Sequence, residues 1–407
     1  MGGASSRDQQ PSKSPFFNQE ELQGLRSAYE EDGLVKAVSL IQEKIKDLDA
    51  IKLNIAVTGE SGSGKSTFIN AMRGLQNGDV GAAPTGNKET TMEPTPYYHP
   101  TLPQVCFWDL PGVGTLKVTA DKYLTKMKFE QYDFFIIIFN ARFKDNEVKL
   151  TGEIKRLGKD FYFVRSKIEY DLESMKMSGM KFNEKEELGK IRDHCVSKLK
   201  EAGISSSGVF LISSFKINKF DFPALQETLS NNLNDIKKHA FMLSLPNATV
   251  KIIDQKRNTL ENKIWMLATM SGALGAVPIP GLSLACDIGI LVTAITDFRQ
   301  YLGLDDASLQ RLANMAGKPV GDLKAVVKTP LMGEINKEFV IRMLTGTTVV
   351  GISIAEVVLD FIPIIGSLFG AASSFGMTYK LLHNVLDDLT QNAEKVVEAA
   401  FGTAPKY

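Results

Sequence analysis

The residues best equipped for chemistry are Gly59-Glu60-Ser61-Gly62-Ser63-Gly64-Lys65-Ser66, followed by Thr67. They complete the G-x-x-x-x-G-K-S spacing of a phosphate-binding loop. Glycines at 59, 62 and 64 let the backbone bend so that successive N–H groups aim at phosphate oxygens, and a helix starting beyond them adds the positive end of its dipole. Lys65 is placed to reach the β- and γ-phosphates, and the Ser66 hydroxyl to ligate Mg²⁺. The flanking residues supply the right context. Leu53-Asn54-Ile55-Ala56-Val57-Thr58 has the apolar, β-branched character of a buried strand, and Thr67-Phe68-Ile69-Asn70-Ala71-Met72 reads as the first turns of a helix. The expected ligand is a nucleoside triphosphate.

Further residues extend this site. Trp108-Asp109-Leu110-Pro111-Gly112 ends an apolar run with D-x-x-G spacing, so Asp109 is expected to hold Mg²⁺ through water and the Gly112 N–H to sense the γ-phosphate. Between the two motifs, Thr85-Gly86-Asn87-Lys88-Glu89-Thr90-Thr91-Met92-Glu93 occupies the place of a first switch loop. Thr85, Thr90 or Thr91 could present the hydroxyl that meets Mg²⁺ in the triphosphate state, and spacing does not choose among them. After D-x-x-G many GTPases carry a water-orienting glutamine, but here the residue is Val113. Basal turnover should therefore be slow, with the missing group supplied by the switch loop, Glu89 being the candidate, or by a second molecule.

For the base, Ser166-Lys167-Ile168-Glu169 stands where an [NT]-K-x-D signature is expected, with Ser166 and Glu169 as its two departures. The Glu169 carboxylate still complements guanine N1–H and the exocyclic amine and repels the adenine N1 acceptor. Ser213 and Ser214, closing Phe210-Leu211-Ile212-Ser213-Ser214, fall where a backbone N–H reads guanine O6.

These loops need a scaffold. From about 52 to 235, strand-like runs at 53–58, 105–109, 134–139, 160–165 and 209–213 alternate with amphipathic stretches, which is the rhythm of a parallel α/β sheet. Nucleotide is expected at the carboxyl ends of the strands. Before the sheet, Asn18 with Phe17 and Glu21 resembles an N-cap with a capping box and apolar staple, and Gly33 separates that helix from a second whose Leu34, Ala37, Val38, Ile41, Ile45 and Leu48 share one face. After residue 246 the chain reads as helical. The expected domains are a disordered 1–15, N-terminal helices at 16–50, a nucleotide domain at 51–240 and a helical domain at 241–407.

Within the helical domain, residues 264–296 carry only Asp287 as a charge and 343–379 only Glu356 and Asp360. Each stretch is broken by a similar turn, Val277-Pro278-Ile279-Pro280-Gly281 or Ile362-Pro363-Ile364-Ile365-Gly366. The break and the paired acids argue for core helices over bilayer spans, with shallow insertion or a regulated hairpin as the alternative. Met266 and Met270 read as core filler. The helix pair suggested by Ser308 to Gly317 lacks the basic cluster of a DNA reader.

With 47 basic and 47 acidic residues there is no global field to draw the chain onto nucleic acid, so that partner is excluded. Cys106, Cys195 and Cys286 are few, odd in number and far apart, which suits reduced thiols of an intracellular protein. No apolar signal-peptide core opens the chain. Met1-Gly2-Gly3-Ala4-Ser5-Ser6 instead fits the N-myristoylation pattern, with Gly2 as the lipidated residue, and one such chain anchors only marginally.

Taken together, the chain resembles the interferon-inducible immunity-related GTPases of the subgroup with lysine in the phosphate loop. The resemblance runs over nearly the whole sequence, through Ala56-Val57-Thr58-Gly59 into Ser66, Phe107 to Gly112, Met127-Lys128-Phe129, Tyr132 to Ile136, Phe161 to Arg165, Ser244-Leu245-Pro246-Asn247 and Ser308 to Ala313. It implies a Ras-like P-loop G domain, α/β in class, with a helical domain built from N- and C-terminal helices. It further implies a dynamin-like GTPase: GTP-bound copies associate through their nucleotide faces, activate hydrolysis in each other, pair with related GTPases of the family, and act peripherally on intracellular and pathogen-containing vacuole membranes from the cytoplasm. The implied catalytic set is Lys65, Glu89 and Gly112; Thr85 and Thr91 match the family's switch threonines, and the expected metal set is Ser66, Asp109 and Thr85. Val113 and Glu169 keep open a nucleotide-dependent membrane scaffold or regulator with negligible turnover.

Overall fold

A computed structural model describes residues 19–32, 34–86, 93–111, 127–140, 145–179, 181–204, 208–275, 282–346 and 374–402. The chain gathers into two compact units. One joins Asp49–Lys256, Arg299–Met332 and Leu389–Tyr407; the other joins Met1–Leu48, Arg257–Phe298 and Gly333–Asp388.

The first unit is built on a six-stranded sheet: β1 (Leu53–Gly59), β2 (Thr95–Tyr98), β3 (Val105–Asp109), β4 (Phe134–Phe139), β5 (Asp160–Arg165) and β6 (Val209–Leu211). The spatial order is β2-β3-β1-β4-β5-β6. All neighbours run parallel except β2 against β3, so the sheet is mixed, correcting the expectation of a parallel one. The strand not foreseen, β2, is Thr-Pro-Tyr-Tyr at the sheet's edge. Its Pro96 cannot donate to a ladder, which disguises the run as a turn and is tolerated only because the outer side of an edge strand has no partner to bond. The last run also ends at Leu211, short of the expected 213.

Every residue of β4, Phe-Phe-Ile-Ile-Ile-Phe, is buried, because helices cover both faces of a central parallel strand. Phe135 packs edge-on against Tyr132 at 5.6 Å and tilted against Phe129 at 4.7 Å. Each such ring contributes about 1.5–3 kcal/mol by leaving water. The covering helices follow the strands in turn: α3 (Lys65–Met72), α4 (Asp145–Arg156), α5 (Ile168–Met177), α6 (Glu184–Glu201), α7 (Phe222–Asn231) and α8 (Asp235–Ser244). The solvated α6 shows why they form where they do. Asn183 Oδ1 caps it by accepting from the Lys185 and Glu186 N–H groups, acids fill its first turn and Lys198 and Lys200 its last, each opposing the local end of the helix dipole.

Register brings the carboxyl ends of the strands to one edge. Val57 lies beside Asp109, Gly59 beside Ile138, Phe139 beside Arg165 and Arg165 beside Leu211. Because β3 and β4 flank β1 on opposite sides, the chain order reverses at β1 and opens a crevice there. The same unit holds α11 (Asp306–Ala316) and α12 (Val320–Ala325). Asp305 Oδ1 caps α11 by accepting from the Ser308 N–H, and Gly317 ends it in the left-handed region at φ 64°.

The second unit is helical: α1 (Gln19–Asp32), α2 (Leu34–Ala50) and α13 (Lys337–Gly346), with most of α9 (Val250–Gly275), α10 (Leu282–Tyr301) and α14 (Ser374–Phe401). Asn18 and Gly33 lie outside the described residues, but the helices begin directly after each. Leu260 and Ile264 of α9 and Leu381, Leu382 and Val385 of α14 are buried. The two helices run antiparallel, since Arg257 Nη2 donates to Asp387 Oδ1 at 2.8 Å and Ser271 Oγ lies 2.8 Å from Thr378 Oγ1. Lys44 ties α2 to Glu21 of α1 at 2.6 Å. Met266 is buried as expected of core filler, and Met270 half-buried. Both Pro/Gly turns lie outside the described residues. Among the described residues no helix is long and apolar enough to cross a membrane. The fold is thus a P-loop G domain with a helical domain drawn from both ends of the chain.

Candidate nucleotide site

β1 delivers its last residue, Gly59, against β4. A Cβ at this position would lie 1.9 Å from the Ile138 carbonyl oxygen, so no side chain fits there. The loop then turns into α3 through Gly64, which holds φ 97° at the helix N-cap, a left-handed conformation that an L side chain adopts at a cost. Lys65, the first residue of α3, is buried and curls back over the loop. Its Nζ donates to the Gly59 carbonyl at 3.1 Å and the Glu60 carbonyl at 3.0 Å. Next along the helix, Ser66 Oγ donates to Asp109 Oδ2 at 2.9 Å. Two residues read separately from the sequence as metal ligands, one after β1 and one ending β3, thereby stand within a single hydrogen bond of each other.

Thr85 is exposed, and no hydrogen bond joins it to Ser66 or Asp109 among the described residues. Gly2, Glu89, Thr90, Thr91, Gly112 and Val113 lie outside the described residues.

On the base side, β5 ends at Arg165, and Ser166 turns inward. Its Oγ donates to the Ser63 carbonyl at 2.6 Å, with the Phe139 carbonyl 3.2 Å away. The serine thus fastens the base-reading loop to the phosphate loop and to β4. Lys167 takes φ 63° as the N-cap of α5, and its Nζ donates to the Gly62 carbonyl at 2.8 Å, lying across the same loop. Glu169, in the first turn of α5, is 7% exposed, and its Oε2 is buried with no hydrogen-bond partner among the described residues. An acceptor withdrawn from water and left unmatched costs about 1–3 kcal/mol, so this oxygen is poised to accept from a ligand donor. Its neighbour Asp171 is occupied by Arg165 Nη2 at 2.7 Å, and burial pushes the Asp171 carboxyl above its ordinary range against that opposing charge.

Beyond β6, Ser213 is buried and its Oγ accepts from the Phe215 N–H at 3.3 Å. Ser214 lines a cavity of about 240 Å³ together with Thr67, Gln76, Asn77 and Phe215. The last three were not read as site residues. Asn77 is held there by Asn70 Nδ2, which donates to its Oδ1 at 3.0 Å. Their signal was present but faint: a polar Gln-Asn-Gly turn just after α3, and an aromatic directly after Ser-Ser.

The donor set fits a guanine nucleotide with a divalent ion. Backbone N–H groups and Lys65 suit a polyphosphate, the Ser66 and Asp109 oxygens suit a hard cation, and the unmatched Glu169 oxygen suits the guanine N–H edge.

Known proteins agree. A family model described as Interferon-inducible GTPase (IIGP) matches residues 18–400. Interferon-inducible GTPase 5 of Rattus norvegicus is 40% identical over 380 residues, 93% of this chain and 82% of that protein. T-cell-specific guanine nucleotide triphosphate-binding protein 2 of Mus musculus is 40% identical over 387 residues, 94% of this chain and 90% of its own. Among solved structures, a variant of Era from Aquifex aeolicus bound to GDP.AlF4- is 18% identical, covering 53% of this chain and 68% of its own at a TM-score of 0.30, so the fold rests on the sheet order rather than on that likeness. With the phosphate loop, the paired Ser66 and Asp109 and the Ras-like strand order in one sheet, the chain belongs to the interferon-inducible GTPases, the immunity-related GTPase family.

Proposed function

We propose that this GTPase hydrolyses GTP to GDP and phosphate in an assembly-activated cycle, two or more copies meeting through their nucleotide faces on intracellular membranes, pathogen-containing vacuoles among them. The observation that carries the nucleotide chemistry is the Ser66–Asp109 hydrogen bond beside Lys65. When Mg²⁺ is bound, Ser66 and Asp109 would hold it, and it would neutralise charge on the phosphate oxygens. Lys65 exchanges its two carbonyl partners for phosphate oxygens and stabilises charge that builds on the leaving group. Ser166 and Lys167 keep the base loop in register with the phosphate loop, and Glu169 selects guanine.

Self-activation is supported by Val113, which cannot orient an attacking water, so that task falls to the switch loop, Glu89 being the candidate, or to groups from a second copy. The membrane reading is supported by the acylation pattern at Gly2. Turnover per molecule measured across a wide range of protein concentration is expected to rise with concentration. A flat specific activity rejects assembly activation. The second reading, a nucleotide-dependent membrane scaffold with negligible turnover, is favoured by Val113 and Glu169 as departures from the usual GTPase residues and predicts no phosphate release in a single turnover at high protein concentration.

A further inference from the structure

The phosphate-loop helix α3 is followed at its far end by Arg73, roughly 12 Å along the axis from Lys65 at 1.5 Å per residue. Around that end the sheet unit forms a second cavity, about 60 Å³ in volume, lined by Arg73, His99, Lys256 and Arg311 among others, with no Asp or Glu among the lining residues. In a chain whose charges balance, this is a local concentration of positive charge. Arg73 is 5% exposed and Lys256 3%. Cations withdrawn from water to this extent need compensation.

The fold supplies part of it. Arg73 Nε donates to the Tyr98 carbonyl and its Nη2 to the Gly81 carbonyl, both at 3.0 Å, Lys256 Nζ donates to the Tyr301 carbonyl at 2.9 Å, and Arg311 Nη2 donates to Ser308 Oγ at 2.7 Å. Donors are left over. Among the described residues Arg73 Nη1 is buried with no hydrogen-bond partner, and the three-donor ammonium of Lys256 has one acceptor. His99 adds no positive charge of its own. Its Nδ1 accepts from the backbone N–H groups of Thr101 and Leu102, each at 3.3 Å. Burial, reinforced by Lys256, Arg73 and Arg311, pushes its pKa down to about 3 and keeps the ring neutral. Burial alone brings Lys256 down to about 7.

We propose that this pocket is an anion site that takes a phosphate group, as inorganic phosphate or a small soluble phosphomonoester, on Arg73, Lys256 and Arg311. The cavity has room for roughly four waters, about the bulk of one phosphate group. A guanidinium fork matches phosphate oxygens in geometry as well as charge, and the oxyanion supplies the acceptors that the surrounding carbonyls do not. Because Arg73 and Lys256 are buried, a bilayer surface does not reach them, which assigns the site to a soluble ligand.

The test is calorimetric titration of the full chain, saturated with GDP so that the nucleotide site is filled, with inorganic phosphate. Saturable binding in the millimolar range or tighter is expected, weakened about tenfold or more in Arg311→Gln and Lys256→Gln, with GDP affinity unchanged. Lys256→Gln also removes the bond to the Tyr301 carbonyl and lowers stability; Arg311, half-buried and bonded through its side chain only to Ser308 among the described residues, keeps the test informative if that variant fails to fold. No binding to the GDP-saturated chain, wild-type binding by the folded variants, phosphate that displaces GDP, or Arg311-dependent binding to vesicles bearing a phosphomonoester lipid but not to free phosphate would each overturn the assignment.

Discussion

At the scale of single residues, the site is decided by which polar groups have partners and which are held for a ligand. Glu169 is the sharpest case: its position after Ser166 and Lys167 makes the carboxylate legible in the sequence, but only the fold shows that Oε2 is buried and unmatched. Glu169→Gln replaces one acceptor with a donor that opposes the guanine amine, and the mismatch costs about 1–3 kcal/mol, or roughly a 5- to 150-fold loss of GDP affinity. Xanthine carries a carbonyl where guanine carries that amine, so the same amide should raise XDP affinity. Equilibrium titrations of GDP and XDP against wild type and Glu169→Gln check this, and parallel losses for both nucleotides would remove Glu169 from base recognition. Ser166 teaches the complementary lesson. Its spacing suggested a role toward the base, whereas its hydroxyl is spent on the Ser63 carbonyl, a contact between residues far apart in sequence that no local pattern encodes.

At the scale of elements, the long, uninterrupted apolar runs were readable because burial on both faces leaves no polar alternation to confuse, as in β4. The short edges were not. β2 is four residues containing a proline, and β6 is three residues whose pairing depends on a side chain outside it. Asp221 stands at the N-cap position of α7, yet its carboxylate does not cap the helix. Instead its Oδ2 accepts from the Leu211 N–H at 2.7 Å and from Arg192 Nη2 at 2.8 Å, while its own N–H donates to the Leu211 carbonyl at 2.9 Å. One residue thus stands in for a missing neighbouring strand and links α6 to the sheet edge. Asp221→Ala leaves the buried Leu211 N–H without that acceptor and should cost about 1–3 kcal/mol in urea denaturation. Because Ser213 and Ser214 follow β6 directly, GDP dissociation followed by a fluorescent analogue should also be faster in this variant. A change in stability with nucleotide release untouched would mean that the loop after β6 holds its shape without the strand.

At the scale of the whole molecule, balanced charge removes long-range electrostatics as a means of reaching a membrane, and no described helix can span one. In the proposed cycle the acyl chain at Gly2 supplies the attachment, and one myristoyl chain binds a bilayer only with an association constant of about 10⁴ M⁻¹. That weakness has a use in the proposed cycle. If two GTP-bound copies join, the second acyl chain inserts at a local concentration set by the tether to the first, and avidity rises by about 10² or more without any new contact to lipid. Hydrolysis would separate the copies and return each to marginal binding. Myristoylated full-length chain is therefore expected to float with neutral vesicles when loaded with a non-hydrolysable GTP analogue and to remain largely unbound with GDP. Gly2→Ala should abolish flotation in both states while nucleotide-dependent mass in light scattering persists, since acylation and pairing are separate events in this scheme. Equal flotation in the two nucleotide states would break the link between assembly and membrane residence, and flotation of Gly2→Ala would transfer the anchor from the acyl chain to the protein itself.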